Sequence, residues 1–170
     1  MSQQQLEILL ADDDQDDCLF FKEAITGLNP PANFTAVHDG EQLMQLLNSR
    51  SIKLPHILFL DLNMPRKNGF ECLLEIKQNA ALKGLPVVIF STSFEQEVVN
   101  LLYHNGAQYF LRKPSEFTLF KNIILFTLTL ITQGQPGFYL QGSGSEAGQA
   151  GDILQPRRED FVITVENSLV

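Results

Sequence analysis

Five short and nearly uninterrupted apolar runs, each followed by a stretch of helical periodicity, constrain this chain more than any other feature. The runs are Leu6 to Ala11, Phe34 to Val37, Ile57 to Leu60, Val87 to Phe90 and Tyr109 to Leu111. A strand with one wet face alternates apolar and polar residues, whereas a strand covered on both faces reads as continuous. The helical segments run from about Gln15 to Thr26, through Leu43, Met44, Leu46 and Leu47, through Phe70, Leu73, Leu74 and Ile76, through Val98, Val99, Leu101 and Leu102, and from Glu116 to Ile131. Gly27 and Asn105-Gly106 stop two of them, and Pro55 and Pro86 introduce the third and fourth strands. Strand and helix alternating through short turns specify an α/β fold: a doubly wound parallel sheet with right-handed crossovers.

Such a sheet carries its chemistry beyond the carboxyl ends of its strands. Reading those positions in turn yields Asp12-Asp13-Asp14, then Asp61, then Ser91-Thr92, then Lys113. Carboxylates converging on one point repel and raise one another's pKa unless a cation sits among them. Oxygen ligands without thiol or imidazole suit Mg2+. A carboxylate beside Mg2+, with a hydroxyl and an ammonium near it, is a set of parts for phosphoryl transfer. The Asp is the nucleophile, and the metal and Lys neutralise phosphoryl oxygens.

At these residues the chain resembles the receiver domains of two-component signalling, the fold of the chemotaxis response regulator. The resemblance rests on Ile8-Leu9-Leu10-Ala11-Asp12-Asp13, on Leu60-Asp61-Leu62-Asn63-Met64-Pro65 with Asn68-Gly69, on Pro86 to Thr92, and on Gly106-Ala107 with Phe110 and Lys113-Pro114. It implies a flavodoxin-like receiver fold, a five-stranded parallel sheet in the order 2-1-3-4-5 with five helices, over residues 1–132. It also implies that Asp61 is the phosphoacceptor, with Asp12, Asp13, Asp61 and the backbone carbonyl of Asn63 around Mg2+. Ser91 would be the switch hydroxyl, Lys113 the partner of the phosphoryl group, and Phe110 the rotating aromatic. Ser91 stands where Thr is commoner, Phe110 lacks a phenol oxygen, and Asn68 replaces an acid found in many relatives.

The phosphate donor implied is a sensor histidine kinase or a His-phosphotransfer protein, and the output a contact with a downstream protein. On this reading the chain is not an enzyme beyond slow loss of its own phosphate. Two other readings are open. A haloacid-dehalogenase-type phosphatase uses similar parts, but needs a second acid two residues after the nucleophile, where Asn63 stands. A phosphorylation-independent scaffold would leave the filled chemical positions unexplained.

Charge and composition narrow the partners. A net charge of −8 argues against nucleic acid, and no basic run suited to anionic lipid occurs. Cys18 and Cys72 fall inside helical patterns as buried free thiols, the amino terminus lacks signal-peptide regions, and Phe117 to Ile131 is too short to span a membrane. The cytoplasm is the expected location. His38, His56 and His104 read as surface or packing residues, and Asp14, Asp16 and Asp17 as cap and first-turn acids of a helix.

The last helix carries two apolar stripes. Phe117, Phe120, Ile124, Leu128 and Ile131 can face the sheet, while Leu119, Ile123, Phe126 and Leu130 point the other way and call for cover, for example a homodimer through this helix. Residues 133–170 form a tail: a Gly/Ser/Gln-rich linker centred on Gly142-Ser143-Gly144-Ser145, then a strand-like run from Phe161 to Val165. That run is expected to add to a sheet edge, cover the second stripe or stay loose, with docking favoured.

Overall fold

The computed structural model describes residues 5–29, 31–133 and 156–164. The linker around Gly142 to Ser145, residues 1–4 and Val165 lie outside them. β1 (Leu6–Ala11), β2 (Ala32–Val37), β3 (Ile57–Leu60), β4 (Val87–Ser91), β5 (Tyr109–Arg112) and β6 (Val162–Ile163) form one sheet. Their order is β2-β1-β3-β4-β5-β6, and every pairing is parallel. The helices are α1 (Gln15–Ile25), α2 (Gly40–Asn48), α3 (Gly69–Gln78), α4 (Gln96–His104) and α5 (Phe117–Thr132).

Both faces of the sheet are covered, which is why its strands read as continuous apolar runs. Ile8, Leu10, Phe59, Val88 and Phe90 join Phe21, Phe120, Ile124 and Leu128 from α1 and α5. Leu9, Leu58, Leu60, Val87 and Ile89 join Leu43, Leu73, Ile76 and Leu102 from α2, α3 and α4. Side chains of opposite strand parity thus feed two separate cores. No helix among the described residues is long and apolar enough to cross a membrane.

Two expectations are corrected. The sheet has six strands rather than five, because the tail supplies β6 alongside β5, pairing Phe110 with Val162 and Leu111 with Ile163. Its anchor is Phe161, 1% exposed, whose ring meets Tyr103 edge-on at 5.2 Å and whose carbonyl accepts the Phe110 N–H at 2.9 Å. The second correction concerns α5. Ile123, assigned to the outward stripe, is fully buried with Ile124 and Leu128, and Phe126 and Leu130 pack partly against the same cluster. The apolar face of α5 is therefore one broad arc, with Phe117, Leu119, Leu125, Phe126 and Leu130 half-open at its margins.

Truncating a fully buried aromatic removes its transfer energy and leaves a cavity. Phe161→Ala is expected to lower stability by about 3 kcal/mol, against less than about 0.5 kcal/mol for the exposed Arg158→Ala. Urea unfolding of the full chain checks this, and equal midpoints for the two variants would mean that β6 does not dock.

Candidate functional site

The sheet's carboxyl edge fixes each polar residue through backbone bonds before its side chain enters the argument. The Asp12 N–H donates to the Val37 carbonyl at 3.0 Å, the Asp61 N–H to Ala11 at 2.9 Å, and the Lys113 N–H to Ser91 at 2.9 Å. These bonds run between neighbouring strands, so the ends of β1, β3, β4 and β5 lie side by side. Beyond Asp61 the chain turns tightly into α3. The Gly69 N–H donates to the Leu62 carbonyl at 3.0 Å, and a Cβ on Gly69 would fall on the carbonyl of Asp61 itself. Asn68 caps α3. Its side chain accepts from the Glu71 N–H at 2.9 Å, and the Glu71 carboxylate accepts from the Asn68 N–H at 3.0 Å. Arg66, in the same loop, has φ 67, a left-handed conformation unusual for a residue with a side chain.

Carboxylate oxygens of Asp12, Asp13 and Asp61 lie within 4.8 Å of one another. Asp12 is fully buried, Asp61 is 6% exposed and Asp13 faces solvent. The Lys113 ammonium reaches into this group from β5. Its nitrogen is 2.6 Å from Asp12 Oδ2, 2.9 Å from Asp17 Oδ2 and 3.7 Å from Asp61 Oδ1, and it sits 5.2 Å from the centre of the Phe90 ring. Burial by itself would lower the lysine pKa, but the hydrogen bond and charge of Asp12, with Asp61 and Asp17, outweigh it and raise the value. The ammonium therefore stays charged. One cation cannot satisfy every acid around it, though. Burial pushes the Asp12 carboxyl up to about 6 despite its bond to Lys113. Burial also raises Asp61, with Asp13 adding to the rise, while Lys113 and the N–H groups of Leu62 and Asn63 oppose it.

The remaining sequence-derived residues stand around this centre in different ways. Ser91 is fully buried at the end of β4, and its hydroxyl oxygen accepts the Ser93 N–H at 3.3 Å. It is not the cap of α4, whose N-cap residue is Glu95. The Asn63 side chain donates to the Ser93 hydroxyl at 3.4 Å. Phe110 is fully buried in the core beneath, its ring edge-on to Phe94 at 5.8 Å. His38 is a packing neighbour, with Nδ1 3.2 Å from the Asp12 carbonyl oxygen.

Asp17 is a first-turn acid of α1, as expected, and also does more. The cap of α1 is Asp14, whose side chain accepts from the Asp16 and Asp17 N–H groups at 2.9 and 3.3 Å, while Asp17 turns inward to Lys113. Acid spacing alone does not distinguish the two orientations. Chemically, an all-oxygen group with excess negative charge, half buried and half open, fits a hard divalent cation and offers no thiol or imidazole to favour a softer one.

Comparison with known proteins gives a consistent set of likenesses. A family model described as the response regulator receiver domain matches residues 8–125. Response regulator Rcp1 of Synechocystis is 31% identical over 133 residues, spanning 74% of this chain and 90% of its own. Two-component response regulator ORR5 of Oryza sativa subsp. japonica is 33% identical over 103 residues, or 58% of this chain and 74% of its own. Among solved structures, the phosphorylated cyanobacterial phytochrome response regulator RcpA aligns with a TM-score of 0.73 at 25% identity, covering 82% of this chain and all of that one. The Mn(2+)-bound form of Rcp1 aligns with a TM-score of 0.69 at 28% identity, covering 73% and 92%.

The raised Asp12 pKa gives a signed expectation. The folded carboxyl keeps its proton up to about 6 and the unfolded one loses it near 3.8, so the folded state binds more protons between these values. Stability falls as pH rises across that interval. Without divalent cations the melting temperature is expected to drop between about pH 4 and 6, and millimolar Mg2+ to raise it more at the higher pH, where Asp12 is ionised. Differential scanning fluorimetry checks this; an equal Mg2+ effect at both pH values contradicts it.

Proposed function

The chain belongs to the response regulator receiver domain family, and from that premise we propose that it is a phosphorylation switch with Asp61 as the acceptor. The observation that carries the proposal is the convergence of the Asp12, Asp13 and Asp61 carboxylates at the end of β3, a central strand, with the buried Lys113 ammonium within ion-pair distance of Asp12 and Asp61. The Asp61 carboxylate attacks the phosphorus of a phosphohistidine on a sensor histidine kinase or a His-phosphotransfer protein. A P–O bond forms as the P–N bond breaks, and the imidazole nitrogen keeps the electron pair.

Asp12, Asp13, Asp61 and the Asn63 backbone carbonyl would hold Mg2+, which when bound neutralises charge building on the phosphoryl oxygens. Lys113 supplies a second positive charge to the same oxygens. Ser91, next along the sheet edge, donates its hydroxyl to the phosphoryl group in the switched state. Phe110 then repacks, and the face made by α4 and α5 changes shape. Output passes through protein–protein contact at that face, to a downstream target or to a second copy along the half-open border of α5. The chain works in the cytoplasm as a signal carrier, with at most slow hydrolysis of its own acyl phosphate. Regulators named for phytochromes are among its structural likenesses, so a phytochrome-type kinase is the first donor to test.

The phosphatase reading is disfavoured by Asn63, which cannot act as the general acid-base that position requires. Incubation with acetyl phosphate and Mg2+ is expected to add one phosphoryl group to the wild type, seen by intact-mass spectrometry, and none to Asp61→Ala. Equal labelling of the two would remove Asp61 from the role. Rapid turnover of a phosphomonoester would favour the phosphatase.

A further inference from the structure

Three acids compete for one lysine, and the distances rank them. The two short hydrogen bonds of the Lys113 ammonium go to Asp12 and Asp17, at 2.6 and 2.9 Å, while Asp61 stands at 3.7 Å, outside hydrogen-bond reach. Asp17 is not needed to cap α1, a duty that Asp14 performs. We propose that Asp17 is a positioning residue that tethers Lys113 on the α1 side of the pocket and so weakens the pocket's hold on a phosphoryl group at Asp61. The proposal rests on the receiver reading of the site.

The argument turns on which partner the lysine gives up when a phosphoryl group arrives. Asp12 is fully buried, so water cannot take the place of the lysine hydrogen bond there. Asp17 has a side chain 22% exposed and lines a cleft of about 220 Å³ together with Asp14, Lys113 and Pro114. Water can replace the lysine there at small cost. The exchange therefore takes place at the expense of Asp17, and whatever the Lys113–Asp17 pair contributes is subtracted from the stability of the phosphorylated state. The charge of Asp17 acts in the same direction, because it faces an incoming anion across a shared cation.

The test titrates the full chain with beryllofluoride, a phosphoryl mimic, at saturating Mg2+ and follows binding by calorimetry. Asp17→Asn keeps the shape and removes the charge. It is expected to tighten binding roughly three- to tenfold, as fits a partly exposed ion pair. The gain should shrink at about 0.5 M salt. Asp17→Glu, which restores the charge, is expected to return the affinity to within about twofold of wild type. Asp16→Asn removes the same charge from the same helical turn without touching Lys113, and is expected to leave binding unchanged. Should Asp17→Asn not fold, Asp17→Ser is read in the same titration. Unchanged or weaker binding by the neutral variant overturns the proposal, as does equal tightening by Asp16→Asn. A wild type that binds no beryllofluoride, or binds it equally well as Asp61→Ala, overturns the receiver reading and this inference together.

Discussion

A single buried ammonium set against a surplus of carboxylates is the constraint on which this molecule's chemistry depends. Lys113 lies within ion-pair distance of Asp12, Asp17 and Asp61, and Asp13 stands beside them. Charge left uncompensated in a low-dielectric place costs free energy, which appears here as the raised pKa values of Asp12 and Asp61. A pocket in that state favours a divalent cation, and with the cation a group bearing several anionic oxygens. The same imbalance would scatter these side chains if their backbones were free to move. Interstrand bonds from Asp12, Asp61 and Lys113 hold them in place, and two apolar cores supply the stability that offsets the cost.

Most of the fold was legible because burial on both faces leaves so plain a mark on a strand. Ile57-Leu58-Phe59-Leu60 has no polar residue to turn toward water, and in the structure all four are buried. The site was legible for a related reason: in a parallel sheet every strand delivers its following residue to the same edge, so Asp12, Asp61, Ser91 and Lys113 could be placed together without distances. Mutual position is fixed there by topology.

Legibility fails where position depends on rotamers or on a partner that the local pattern does not name. Asp16 and Asp17 are adjacent acids in the first turn of α1, and periodicity treats them nearly alike. Helical rotation brings Asp17 over the pocket, and only the reach of Lys113 decides that the two join. Phe161 poses the second difficulty. A short apolar run after a polar linker carries the mark of a strand but not the identity of the edge it joins. The open edge of β5 and the ring of Tyr103 supply that identity from far away in the chain. Ile123 was misplaced because a wheel divides a helix into stripes, whereas the packing around α5 reaches past the sheet-facing stripe on one side.

Docking of β6 also bears on how the site can signal. The Phe110 N–H is bonded to the Phe161 carbonyl, and the Phe110 ring lies fully buried against Phe94. A proposed switch that turns this ring must displace one of its neighbours. Phe161 is 1% exposed, and moving it would open a cavity and break a sheet hydrogen bond, costs of about 3 kcal/mol and about 1 kcal/mol. Phe94 is 41% exposed, in the segment between β4 and α4, and has little burial to lose. On the proposed switch the motion would run through Phe94 and the approach to α4, with β6 holding the far side of β5. The tail strand would thus act as a stationary wall, and a change proposed to begin at Asp61 would be directed to α4 rather than spread along the edge of the sheet.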